Sequence, residues 1–140
     1  MASNLKFSAS LKNAQEDAIT TKCGASALLN IYDSTGAGQP ASPDTAVTSQ
    51  LLLATLTCNA TFAPGASGGM LTLNAISNGT GLAAAGTGKT ATWYRLTTSG
   101  GTAHVDGSVG ISGADLNLNN TSIAVGQTVS VSSMTFTNGN

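Results

Sequence analysis

The stretch Ala91–Ile111, ATWYRLTTSGGTAHVDGSVGI, decides how the chain is read, because it contains the only Trp, Arg and His of the protein. Two runs of alternating, strand-prone residues flank Gly100-Gly101, a dipeptide suited to the positive-φ positions of a two-residue hairpin turn. With the turn there, Leu96 faces Val105, Arg95 faces Asp106, Tyr94 lies over Gly107 and Trp93 faces Ser108. Side chains alternate across a strand, so Tyr94, Leu96, Val105, Val109 and Ile111 share an apolar face. Trp93, Arg95, Thr97, His104 and Asp106 share the other. The register brings an apolar pair and an opposite-charge pair directly across from one another, which is how cross-strand pairs stabilise a sheet.

Working outward, the runs on either side keep a period of two. Ala27, Leu29 and Ile31 point one way in Ser26–Asp33, and Leu52, Ala54, Leu56, Cys58 and Phe62 share one parity in Leu51–Phe62. Leu71, Leu73 and Ala75 follow in Met70–Ile76, then Ala114, Leu116 and Leu118. In Ile123–Thr137 the parity changes between Val129/Val131 and Met134/Phe136, the mark of a bulge or of a crossing between sheets near Ser132-Ser133. About eight short strands with turn signals between them predict an all-β fold, an antiparallel β-sandwich of jelly-roll-like type. The long polar loop between the first two strands, with turn residues Pro40, Pro43 and Asp44, reads as an arm or contact loop.

One α-helix is expected, over Ser10–Lys22, with Ser10 as N-cap, Gly24 as the C′ residue, and a thin apolar stripe of Leu11, Ala14, Ala18 and Ile19. Such a helix is marginal alone and must pack on the β domain or on a second copy. The organisation expected is therefore an N-terminal arm and helix over 1–25 and a β domain over 26–140, a single domain overall.

Composition narrows the function. Charged residues are 8% of the 140-residue chain and the formal net charge is −1, so there is no basic footprint for nucleic acid or an anionic membrane. Ser, Thr and Asn make up about a third of the chain. A surface with so few charges does little to keep copies apart and suits a protein that lives in an assembly. MASNLKFSASL has no apolar run of signal-peptide length and nothing later could span a bilayer; synthesis in a cytoplasm is expected, with Cys23 and Cys58 reduced and buried rather than bridged.

Four apparent motifs lack the residues or context their chemistry needs. AAAGTGKT at Ala83–Thr90 approximates a phosphate-binding loop, but a flexible segment precedes it and the strand-like TATWYRL follows, where a helix N-terminus is needed. Asp115, Asn117 and Asn119 have the first spacings of a Ca²⁺ loop, yet its sixth position is Asn120 and its twelfth Gly126, so they read as the polar face of a strand. His104, Asp106 and the many serines lack a nucleophile elbow, and one His with two separated Cys makes no zinc site. No catalytic, cofactor-binding or metal-ligating residue is assigned, and no enzyme activity or cofactor is expected.

The interface candidates are Trp93, Arg95, His104 and Asp106 on the polar hairpin face, Leu11 and Ile19 on the helix, and Pro40 and Pro43 in the arm. Trp and Arg are the types enriched at interface hot spots. The competing reading is that Trp93 is covered by the helix or a second sheet, with Arg95 and Asp106 as a surface ion pair worth little.

The series SALLNIYD, QPASPDTA, LLLATLT, ATFAPGASGG, ATWYRLT, HVDGSVG and ADLNLNNTSIAVGQTVSVSSMTFTNG resembles small β-rich structural proteins of tailed bacteriophages and prophages, similar to capsid cement (decoration) proteins. The resemblance implies a virion protein made in the host cytoplasm that binds the outside of the head. Its implied partners are the major capsid protein and copies of itself, with dimers favoured on symmetry grounds. A tail- or fibre-associated module binding a host glycan is the alternative, for which Trp93, Tyr94 and Tyr32 would be the aromatic platforms.

Overall fold

The computed structural model describes residues 4–138. Helix α1 (Ala9–Cys23) is followed by strands β1 (Leu28–Asp33), β2 (Leu51–Thr57), β3 (Met70–Thr72) and β4 (Gly79–Thr80). A 3₁₀ turn at Ala83–Ala85 leads to β5 (Lys89–Thr90), β6 (Trp93–Thr97) and β7 (Ala103–Gly110). Four short strands follow among the described residues: β8 (Leu116–Asn117), β9 (Ser122–Ile123), β10 (Thr128–Val129) and β11 (Thr135–Thr137). The protein is therefore β-rich with one N-terminal helix. Its strands form a five-stranded sheet in the order β2-β1-β6-β7-β8 and three two-stranded ladders, β10-β4, β11-β3 and β5-β9.

The inward face of the large sheet and the ladders share one core. Leu29, Ile31, Leu56, Tyr94, Leu96 and Val109 meet Leu71, Leu73, Ile123, Val129, Val131 and Met134, all buried. The parity change near Ser132-Ser133 is present: Val129, Val131 and Met134 are buried while Ser132 and Ser133 are exposed. Two inward assignments shift. Tyr32 pairs with Leu52 and Ile31 with Ala54, so Leu53 is an extra, bulged residue. Leu53 is fully buried and Leu52 only half-buried, because a bulge turns two neighbouring side chains toward one side. Ile76 rather than Ala75 is buried.

The hairpin pairs Trp93 with Ser108, Tyr94 with Gly107, Arg95 with Asp106 and Leu96 with Val105, as the sequence predicts. Its turn differs. Gly101 N–H donates to Thr98 O and Thr98 N–H to Thr102 O, so Ser99–Gly101 form a three-residue loop in which Gly101 alone takes positive φ, +96°. A β-turn closed by a left-handed glycine is the usual three-residue solution. The extra loop residue is absorbed one step later, where Thr97 pairs with Ala103 and His104 is left unopposed. Strand β7 ends at Gly110, so Ile111 does not join the apolar face; it is 69% exposed.

Helix α1 also departs from expectation. Its N-cap is Ser8, whose Oγ accepts from Leu11 N–H at 3.2 Å; Gly24, at φ +71°, closes the C-terminus by donating to Thr20 O. The apolar stripe does not carry the packing, since Leu11, Ala14 and Ala18 are exposed and only Ile19 reaches the core. The helix docks through polar side chains instead. Asn13 Oδ1 accepts from Gly69 N–H at 2.8 Å and Asp17 Oδ1 from Ala66 N–H at 2.7 Å. The segment beside the helix presents unpaired backbone donors, and buried donors demand acceptors.

Candidate functional site

Strands β1 and β6 are covered on both sides. The face opposite the core carries Tyr32, Trp93 and Arg95, and segment 34–50 folds back over it. Arg95 holds that segment. Its Nε donates to Asp106 Oδ1 and its Nη2 to Asp106 Oδ2, both at 2.7 Å, while Nη1 donates to Thr45 O at 2.8 Å and Nη2 to Ser42 O at 3.3 Å. The side chains of the pair are 5% and 3% exposed. The guanidinium lies 5.7 Å from the centroid of the Trp93 ring, and that ring stacks on Tyr32 at 4.3 Å with an interplanar angle of 11°. A planar donor fork matches a carboxylate and an aromatic face at once. The hydrogen bonds to Asp106 push the Arg95 pKa above its ordinary value.

This corrects the expected contact face. Trp93 is 1% and Arg95 4% exposed, so neither is open to a partner. The loop covers Arg95 through the Ser42 and Thr45 carbonyls, and the ion pair is buried rather than superficial. Pro40 and Pro43 are half-buried within that loop, whose other residues are mostly exposed. His104 is separated from this group by its bulge. It lines a shallow groove of about 280 Å³ with Ala18, Ile19, Lys22 and Val105. Leu11, 46% exposed, stands apart, and Ile19 sits at the helix edge of the same groove.

Beside this groove lies a larger one, of about 460 Å³, between α1, the hairpin and β11. It opens along β7, whose outer side is paired by β8 only at Val109 and Gly110. Glu16, Asp106 and Asp115 line it together with Tyr94, Ile19, Val105 and Phe136. Asp115 Oδ2 accepts from Ser108 N–H and Oγ–H, each at 2.8 Å. Glu16 is 7% exposed and its Oε2 has no hydrogen-bond partner; burial raises its pKa above the usual glutamate value. Among the described residues no three His, Cys, Asp or Glu side chains converge as a metal-ligand set. Glu16 is not among the candidates that the sequence singles out. Its place on the face of Asn13, Glu16 and Thr20, three and four residues apart, was the available signal.

The remaining motifs resolve into local structure. Ala83–Ala85 is a 3₁₀ turn running into β5, which pairs with β9, so no helix N-terminus follows the glycines. Asn117 Oδ1 accepts from Ala114 N–H. Both cysteines are free and buried, and burial pushes each thiol to about 11. Among the described residues no helix is long and apolar enough to cross a membrane. No family model, no curated protein and no solved structure matches the chain.

Proposed function

We propose that the protein is a non-enzymatic virion component, a capsid cement protein that binds the outside of a tailed-phage head and bridges major capsid proteins. The observation that carries this reading against the alternative is the placement of the aromatic side chains. Tyr32, Trp93 and Tyr94 are 6%, 1% and 1% exposed, and Phe62 is buried while Phe7 and Phe136 are half-buried. A glycan-binding module needs open aromatic faces, and the three platforms considered for it are inside the chain. What the outside offers is a charge-poor surface with single apolar side chains, such as Ile111 at 69% and Val125 at 58% exposure. A charge-poor surface of this kind suits the core of a protein interface, where charged residues are depleted.

In this reading the three ladders are remnants of a second layer opposite the five-stranded sheet, in the manner of a jelly roll. The protein acts by mass action: a subunit that binds only the assembled shell shifts the equilibrium toward the intact particle. It binds as a symmetric oligomer, with the dimer as the simplest closed form.

Co-sedimentation of the purified protein with empty heads and, separately, with tails of the encoding phage tests this. Saturable binding to heads that resists salt, and weaker binding by Ile111→Asp, is the expected result. Binding to tails or to a glycan array, with none to heads, overturns it in favour of the alternative.

A further inference from the structure

Two strand edges border the larger groove, and neither is paired there. On β7 the register fixes which backbone groups point away from β6. Val109 N–H donates to Thr92 O, so Val109, Gly107 and Val105 turn their N–H and C=O groups to β6 and Asp106 turns its own outward, by the alternation of an antiparallel pair. Ser108 and Gly110 also point outward, but Ser108 N–H is taken by Asp115 Oδ2 and Gly110 O by Leu118 N–H. The Asp106 groups have no such partner among the described residues. Its carboxylate is held on the far face of the sheet by Arg95, so what Asp106 presents to the groove is backbone.

On β11, Met134 O accepts from Leu73 N–H and Asn138 N–H donates to Gly69 O. The even residues therefore serve the ladder with β3, and Thr135 and Thr137 turn their backbone groups the other way. Both line the same groove, and among the described residues β11 pairs with β3 alone. An unpaired edge is a template for one more strand, and here two of them flank one opening.

The walls decide what can enter. Glu16 and Ile19 of α1 close the third side, so the groove takes a single extended segment and not the edge of another folded sheet. Its charged lining is all acidic, and Tyr94, Val105 and Phe136 are its apolar part. Of the acids, Asp115 is exposed and has no ion-pair partner among the described residues. Residues 4–8, Asn-Leu-Lys-Phe-Ser, match this lining. They belong to no helix or strand and line no part of their own chain's groove. Leu5, which is 57% exposed, and Phe7 alternate with Lys6, the segment's only charge. Extended, the segment turns two apolar side chains one way and an ammonium the other.

We infer that residues 4–8 of a second copy add as a strand between β7 and β11, bonded through the backbone to Asp106 on one side and to Thr135 and Thr137 on the other. Main-chain bonds hold such a strand and its alternating side chains select it: Leu5 and Phe7 lie on the apolar floor, and Lys6 turns to Asp115. Reciprocal exchange of the two segments is closed and two-fold. The contact fits the symmetric oligomer proposed above, but it does not rest on the capsid reading, because the strand edges alone carry it.

The test is self-association of the full chain, read by sedimentation, with amide exchange read by NMR on the same samples. A concentration-dependent dimer with slow exchange at Asp106, Thr135 and Thr137 is expected. Lys6→Glu sets like charge against the groove and should weaken the dimer by roughly tenfold or more. Thr137→Pro removes an N–H that the β3 ladder does not use, at an edge where proline is tolerated, and should also weaken it. Protected amides in β1 and β6 tell loss of the dimer from loss of the fold. An excess of the end-capped peptide Asn-Leu-Lys-Phe-Ser should split the wild-type dimer and keep the three groove amides slow, a readout that needs no variant to fold. A monomeric full chain overturns the inference, even one whose own residues 4–8 cover those amides. A dimer that a folded variant or the peptide leaves intact overturns it too. Binding to heads is scored separately, so each proposal can fail without the other.

Discussion

The Arg95 guanidinium grips Asp106 through two parallel hydrogen bonds of 2.7 Å, from Nε and Nη2, and donates to the Thr45 carbonyl from Nη1 and to the Ser42 carbonyl from Nη2. One side chain thus joins β6, β7 and the loop from β1 to β2. Removing Asp106 alone strands a buried cation, a class of change that costs about 3–5 kcal/mol. Asp106→Asn should lower the urea midpoint accordingly. The Arg95→Met, Asp106→Leu double variant should recover most of the loss, since an apolar pair of similar volume replaces a desolvated ion pair. It should still free the loop: amide exchange at residues 42–48 should quicken while β1 and β6 stay protected. An Asp106→Asn protein as stable as wild type would contradict the structural role assigned to the pair.

Gly107 is present because Tyr94 lies across it. A Cβ built on Gly107 would stand 2.5 Å from Tyr94 Cε1 and 2.6 Å from its Cζ and Oη, and the Tyr94 ring is itself buried, 1% exposed. Gly107→Ala should therefore cost about 1–3 kcal/mol, the usual range for overpacking. In a Tyr94→Leu background the same substitution should be near neutral. The coupling between the two, read from denaturation midpoints in a double-mutant cycle, is the quantity that decides. Additive losses would show that the ring is not the obstacle.

The hairpin was legible because its constraints are local: Trp93 to Leu96 face the residues that alternation and charge pairing assign them. The turn is one residue longer than its sequence predicts. Gly100-Gly101 satisfies a two-residue turn as well as a three-residue one, and the bulge at His104 that reconciles them leaves no mark in the sequence. Burial of Trp93 was one of two readings the sequence allowed; that the Arg95–Asp106 pair is buried beneath the loop was out of reach for another reason. A polar strand face looks the same whether water or the chain's own loop covers it, and the cover here is made of backbone carbonyls, which carry no side-chain signature. For helix α1 the apolar spacing predicts a docking stripe, whereas Asn13 and Asp17 dock it by accepting from backbone donors, contacts that polar side chains on a helix face do not announce.

Cys23 and Cys58 are 1% and 3% exposed, and burial holds each thiol near 11. The thiolate is the reactive form, so at pH 8 both should be inert to a disulfide reagent in the folded protein. Two thiols per chain should appear on unfolding in denaturant. A native protein that releases one equivalent at the rate of a free thiol would mean that this part of the core opens readily.

Glu16 supplies a pH-dependent test with a sign opposite to the usual carboxylate. Burial raises its folded pKa above the ordinary 4.5. Its contribution is therefore fully present below that value and is lost as pH rises through the raised one, where the folded chain must accept a buried charge. Asp33 runs the other way. Burial opposes its charge, but hydrogen bonds from Thr35 and the nearby Lys89 outweigh it and lower its pKa, so its contribution is lost as pH falls. Glu16→Gln removes only the first effect. The variant should be more stable than wild type at pH 7, by on the order of 1 kcal/mol for relief of an unpaired buried group. The difference should shrink toward pH 4, with Asp33 cancelling because both proteins keep it. Urea midpoints at the two pH values read this directly, and a variant less stable than wild type at pH 7 would show that the carboxylate supports the fold. A residue whose removal stabilises the fold is one that the fold does not need.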